Sequence, residues 1–190
     1  MNIEDAITQI TQKWRLGNHE EALADMQKVI NEETLSASHY LMRAQMYRKI
    51  EEFDKSISDY TMAISLDSSD VVTLLERSTV YTYIEEYEKA LEDINRAIEV
   101  EPNYSYYARR ANILIQKGDF EQEIVDLDMV LSKVNHKVQY YRQRATAYIE
   151  LGKLQMAVKD YRKVMEILPE THQEYNATKL LIQRIEAEKQ

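Results

Sequence analysis

The chain has 190 residues, 30% charged and 44% hydrophobic, with a formal net charge of -9, three glycines, two prolines and no cysteine. Without cysteine there are no disulfides, no cysteine-ligated zinc and no thiol catalysis, and the acidic balance argues against nucleic-acid binding, which needs clustered Lys and Arg on phosphates. No run of 18 apolar residues occurs, so no membrane-spanning helix is expected, and the acidic opening "MNIEDAITQI" lacks the basic and apolar regions of a secretory signal; the cytoplasm is the expected compartment.

The first predicted element is an amphipathic helix, with Ile3, Ile7, Ile10 and Trp14 at i, i+4, i+7 and i+11. Trp14 has two readings, a core slot or a place facing an inner surface. Gly17 ends this helix, and a second helix carrying Asp25 follows. From Ala37 onward the pattern becomes regular. "HYLMRAQMYRKIEEFDKSISDYTMAIS" is followed by "VYTYIEEYEKALEDINRAIEVEP", then by "YYARRANILIQKGDFEQEIVDLDMVLS" and "YYRQRATAYIELGKLQMAVKDYRKVME". Arg43-Ala44 recurs as Arg77-Ser78, Arg110-Ala111 and Arg144-Ala145, at steps of 34, 33 and 34 residues. Asp25, Asp59, Asp93, Asp126 and Asp160 keep the same step. Such a period is the mark of a stacked repeat.

The rare residues confirm the phase. With units starting at Ile3, Ala37, Val71, Tyr104 and Val138, Gly17, Gly118 and Gly152 all fall at the fifteenth place, and Pro102 and Pro169 both fall near the end. Each unit therefore reads helix, turn, helix, turn. Glu51 and Glu85 stand at the glycine place, so those two turns must form without it. After the last unit, Tyr175, Leu181, Ile182 and Ile185 predict a helix over about 172–188 that caps the stack.

The places within the unit resemble the tetratricopeptide repeat. Tyr40, Leu74, Tyr107 and Tyr141 hold the large fourth place, and Ala44, Ser78, Ala111 and Ala145 the small eighth. Tyr47, Tyr81, Leu114 and Tyr148 hold the eleventh. Phe53, Tyr87, Phe120 and Leu154 hold the seventeenth, and Ser56, Ala90, Glu123 and Ala157 the usually small twentieth. The twenty-seventh, also usually small, is Ala63, Ala97, Val130 and Val164. Glu123, Val130 and Val164 depart from the pattern. The resemblance covers about residues 37–171, with a degenerate unit over 3–36. It implies an all-α, right-handed superhelical solenoid of helix-turn-helix repeats with a C-terminal capping helix, forming a single domain over 1–190.

The resemblance also implies where a ligand binds: the concave lining at places two, five, nine, twelve and thirteen. The partner-binding candidates in the second unit are Leu41, Gln45, Arg48 and Lys49. In the third they are Val72, Leu75, Thr79 and Tyr83, in the fourth Ala108, Asn112 and Ile115, and in the fifth Arg142, Thr146 and Ile149. The lining is apolar and weakly basic within an acidic chain. Chaperone-binding members of the family hold a terminal carboxylate with lysine at the fifth place and asparagines at the ninth. Here only Asn112 matches, so that clamp is not expected. His19, His39, His136 and His172 have no metal-ligand spacing, and every glycine is committed to a repeat turn. No enzymatic site and no cofactor are expected. The Arg and Asp ladders have two readings, a charged recognition stripe or internal pairs within the same or an adjacent unit that fix the stacking; the internal reading is favoured because both ladders track the repeat. The expected function is an adaptor that binds another protein or a peptide segment, apolar to mildly acidic. The alternatives are a self-associating homo-oligomeric scaffold, through an end or through the Tyr104–Tyr107 region, and a regulatory subunit of a separate catalytic chain.

Overall fold

The computed structural model describes residues 2–32 and 36–187, and among them it contains eleven α-helices and no strand. Five hairpins follow one another: α1 (Ile3–Arg15) with α2 (His19–Glu32), α3 (Ala37–Lys49) with α4 (Phe53–Leu66), α5 (Val71–Tyr83) with α6 (Tyr87–Val100), α7 (Tyr104–Lys117) with α8 (Phe120–Leu131), and α9 (Val138–Glu150) with α10 (Leu154–Ile167). The final helix, α11 (Gln173–Ala187), packs on α10. This is the fold class that the repeat pattern predicts. Residue 188 of the expected cap and residues 33–35 of the first unit lie outside the described residues. The helices form two compact units, Met1–Glu101 and Pro102–Gln190.

Small residues let the paired helices approach closely. Ala44, Ala90, Ala97, Ala111, Ala145 and Ala157 have no exposed surface. Where serine replaces alanine the hydroxyl is satisfied across the hairpin. Ser56 donates to the Ala44 carbonyl and Ser78 to the Ala90 carbonyl, both at 2.8 Å. Large residues fill the space beside these contacts, with Tyr60, Leu74, Ile94 and Leu127 among the fully enclosed side chains. Trp14 is half-buried against the Ile10, Ala22 and Met26 cluster and stacks on His19 at 4.1 Å between ring centres. It also borders a small cavity with Gln45 and Lys49.

Every first helix ends in the same double hydrogen bond. At the end of α5, Glu85 N–H donates to the Thr82 carbonyl at 3.1 Å and Glu86 N–H to the Tyr81 carbonyl at 2.8 Å. The geometry demands a left-handed residue at the turn. Gly17, Gly118 and Gly152 supply it with φ between 68° and 86°, whereas Glu51 and Glu85 are held there at φ 62°. A residue with a Cβ pays about 1–2 kcal/mol for that conformation, partly offset because glycine has more freedom to lose on folding. Glu85→Gly should therefore raise stability by about 0.5–1 kcal/mol. Chemical denaturation with an unchanged or lowered midpoint would show that the turn carries no strain.

The arginine ladder is internal. Arg43, Arg77, Arg110 and Arg144 each fork onto one aspartate sixteen residues on: Asp59, Asp93, Asp126 and Asp160, with N–O distances of 2.6–2.8 Å. These aspartate side chains are 0–6% exposed. Arg43 also reaches back to Gln27 of the preceding hairpin, Arg77 to the Thr61 hydroxyl at 2.8 Å, and Arg144 to Asp128. Tyrosine rings lie under the guanidinium groups, with Tyr107 centred 5.4 Å from Arg110. The first hairpin, α1 with α2, has no arginine–aspartate fork among the described residues. There Asp25 accepts from Lys13 at 2.6 Å and Lys28 at 2.8 Å, more exposed at 25%. A buried bidentate pair that loses one partner leaves an uncompensated charge, at a cost of about 3–5 kcal/mol. Asp93→Ala should destabilise unit one by about 3 kcal/mol, and replacing Arg77 and Asp93 together by apolar residues should recover most of the loss. A double-mutant cycle in urea checks both. A loss under about 1 kcal/mol for Asp93→Ala would place the pair with ordinary surface ion pairs.

Candidate functional site

The candidate lining residues stand on the first helices, and the two units surround them with different chemistry. In unit one, Val72, Thr79 and Tyr83 are exposed on α5. Tyr83 is 66% exposed although its ring leans on Phe53, 4.8 Å between centres. Gln45 and Lys49 border a cavity of about 140 Å³ between α1 and α3, floored by Ile10 and Met46. Three other candidates pack or pair within unit one. Leu75 is buried, and Leu41 packs on the cluster of Ala44, Tyr60 and Val80. Arg48 reaches Glu76 at 3.1 Å, and its buried Nε has no hydrogen-bond partner.

Unit two holds the larger feature, an open groove of about 790 Å³ walled by α7, α9 and α11. Ala108, Asn112, Arg142 and Thr146 line it, as the sequence places imply. Ile115 and Ile149 do not; both are half-buried, Ile149 against the Ala147 and Tyr148 cluster. Thr146 donates its hydroxyl to the Arg142 carbonyl at 3.1 Å, and the Gln143 amide donates to Asn112 Oδ1 at 3.3 Å. The floor is Tyr161, 5% exposed.

Residues from two sources escape the sequence argument. Arg109 and Gln143 sit at the sixth place, one beyond the fifth. The signal was present, because 105, 108, 109 and 112 share one helical face, as do 139, 142, 143 and 146. Glu174, Ala177, Thr178 and Leu181 come from α11, which has no repeat places, so no repeat alignment could find them. Among the described residues no group of His, Asp and Glu has the arrangement of a metal site, and no helix is long and apolar enough to cross a membrane.

The family model of the tetratricopeptide repeat matches residues 37–70, 73–104 and 138–171, just over half the chain. No curated protein matches by sequence. Among solved structures, two crystal structures of MamA are similar. One shares 20% identity, covers 88% of this chain and 95% of that one, and has a TM-score of 0.73. The other shares 18%, covers 87% and 93%, and has a TM-score of 0.75. MamA 41-end from Desulfovibrio magneticus RS-1 shares 14%, covers 86% and 93%, and has a TM-score of 0.74. At these identities the likeness shows the fold alone.

Residues 105–137 lie outside the family matches, and they carry Glu123 and Val130 at places that are usually small. Both side chains are nonetheless fully enclosed. Glu123 has no exposed surface, and neither carboxyl oxygen has a partner in good hydrogen-bond geometry, although the Gln143 amide lies near. Ser56, at the same place in its unit, donates to a carbonyl, which an ionised carboxylate cannot do. Burial raises the Glu123 pKa to about 7, with the Gln143 amide pulling weakly the other way. The folded pKa exceeds the unfolded one, so the group's contribution to stability is full below about pH 4.5 and is lost as pH rises through 7. Wild type should lose about 2–3 kcal/mol relative to Glu123→Gln between pH 5 and pH 8. Denaturation at the two pH values checks this, and parallel pH profiles for the two proteins would show that Glu123 is ionised and solvated.

Proposed function

The chain belongs to the tetratricopeptide repeat family, and we propose that it is a non-enzymatic adaptor whose inner surfaces hold a segment of another protein. The observation that carries this reading is the unit-two groove, about 790 Å³, which sets polar and a few charged groups around the apolar Ala108, Ala177 and Leu181. Rigid hairpins hold these groups in place, so little conformational freedom is lost when a segment binds. Asn112, Gln139 and Gln143 offer amides to a peptide backbone, and the exposed Tyr83 and Val72 of unit one offer apolar contacts. The cytoplasm is the proposed compartment, a reading that rests on the cysteine-free composition.

A scaffold that pairs with copies of itself is the second reading. It is supported by Tyr104 and Met129 of unit two, 45% and 44% exposed, which border a cavity of about 290 Å³ with Tyr107 and Lys133. Light scattering separates the two, since the adaptor is expected as a monomer.

The partner is to be recovered by affinity capture, identified by mass spectrometry and titrated calorimetrically. Tyr83→Ala and Asn112→Ala should each weaken it by about 1–2 kcal/mol, roughly five- to thirtyfold, with helicity intact. Wild-type affinity in both variants would remove the inner surfaces from the reading.

A further inference from the structure

The charges in the unit-two groove are few. Arg109 and Arg142 are its only cations and Glu174 its only anion among the described residues. The rest of the chain is strongly acidic, so two arginines sharing one groove are a local reversal of sign. Their states differ. Arg109 is exposed and makes no ion pair among the described residues. Arg142 donates through Nη1 to Oε1 of Glu174, which α11 brings across the groove.

The quality of that contact matters. The ladder arginines fork onto both oxygens of a buried aspartate, as Arg144 does onto Asp160 at 2.6 and 2.7 Å. Arg142 uses one nitrogen on one oxygen, with its side chain 56% exposed and that of Glu174 27% exposed. A single-point pair this open to water is held weakly, and the remaining N–H groups of the Arg142 fork stay available to a second carboxylate. The wall that carries Glu174 also carries Ala177 and Leu181, which give the groove an apolar side next to its charged end.

We propose that the unit-two groove receives an acidic peptide segment whose carboxylates pair with Arg109 and Arg142, and that Glu174 is a built-in competitor which the segment displaces. The proposal rests on the groove reading above and adds the partner's chemistry to it. Charge complementarity selects the occupant: a basic segment would meet the unpaired Arg109 and the cation of the Arg142–Glu174 pair, whereas an acidic one pairs with Arg109 and exchanges a weak internal pair for a stronger bidentate one. Glu174 then sets a threshold, since a segment without carboxylates cannot compete for Arg142.

The test pans a random peptide library displayed on phage against the full chain. Selected peptides are then synthesised with a fluorescent label, and their Kd is measured by anisotropy. Peptides rich in Asp and Glu are expected. Arg109→Ala and Arg142→Ala should each weaken them about tenfold, and Glu174→Gln should tighten them severalfold, because it removes the competitor and leaves the arginines in place. Circular dichroism of each variant confirms folding. Neutral or basic selected peptides, or acidic ones indifferent to both arginine variants, overturn the proposal. Unchanged affinity in Glu174→Gln overturns the competitor. A fourth variant, Ala177→Trp, fills the groove from its exposed α11 wall. If neutral peptides are selected and lose binding in Ala177→Trp, the groove reading survives without its acidic partner. If nothing is selected, or binding ignores Ala177→Trp, both fall.

Discussion

The bidentate arginine–aspartate pair is the interaction on which the regular part of the structure depends. It joins the two helices of a hairpin at a fixed height, because a planar fork meets a carboxylate in one orientation. The same guanidinium reaches back to Gln27, Thr61 or Asp128 of the preceding hairpin, so one side chain sets both the pairing within a repeat and the stacking between repeats. Apolar packing alone is non-directional. Alanine and serine at the close contacts permit the approach, and the ion pair fixes its register. Where the ladder is missing, in the first hairpin, aromatic stacking of Trp14 on His19 and the lysine pairs of Asp25 take its place.

Because the arginines at the seventh place are spent on this framework, the charges free to meet a partner must come from elsewhere. Arg109 and Arg142 stand one and two places earlier on the same helices and turn into the groove rather than between helices. A step of one residue turns a side chain about 100° around the helix, and this separates the half-buried structural cation Arg110 from the exposed Arg109. The contrast between the buried forks and the single-point Arg142–Glu174 contact follows from that geometry. Burial strengthens and fixes the first, while water weakens the second and leaves it exchangeable.

Glu123 departs from this economy. Its place is built for a small side chain, and no neighbour meets either oxygen in good hydrogen-bond geometry. It is the carboxyl in unit two whose charge the fold resists, and it stands behind Gln143, which faces the groove. The repeat tolerates it because a protonated glutamic acid at this place carries no net charge, and its stem fills volume that alanine would leave to neighbouring helices.

The sequence by itself determined the helices, their hairpins and the two ladders, because a period of 34 residues puts equivalent places in equivalent environments; that each arginine takes the aspartate of its own unit, as Arg43 takes Asp59 and Arg144 takes Asp160, was decided by the tertiary structure. The turns at Glu51 and Glu85 were also marked as departures, and the structure adds that the backbone takes a positive φ there without glycine. About half of the candidate lining was legible on the same basis: Asn112, Arg142 and Thr146 reach the groove because a place in a helix fixes a direction. Leu75, Arg48 and Ile149 did not follow, since whether a side chain at the edge of a face is buried depends on what packs beside it. Only the tertiary structure decided the wall contributed by α11. Glu174 meets Arg142 across 32 residues of chain, and no periodicity encodes that contact, because the capping helix ends the repeat instead of continuing it.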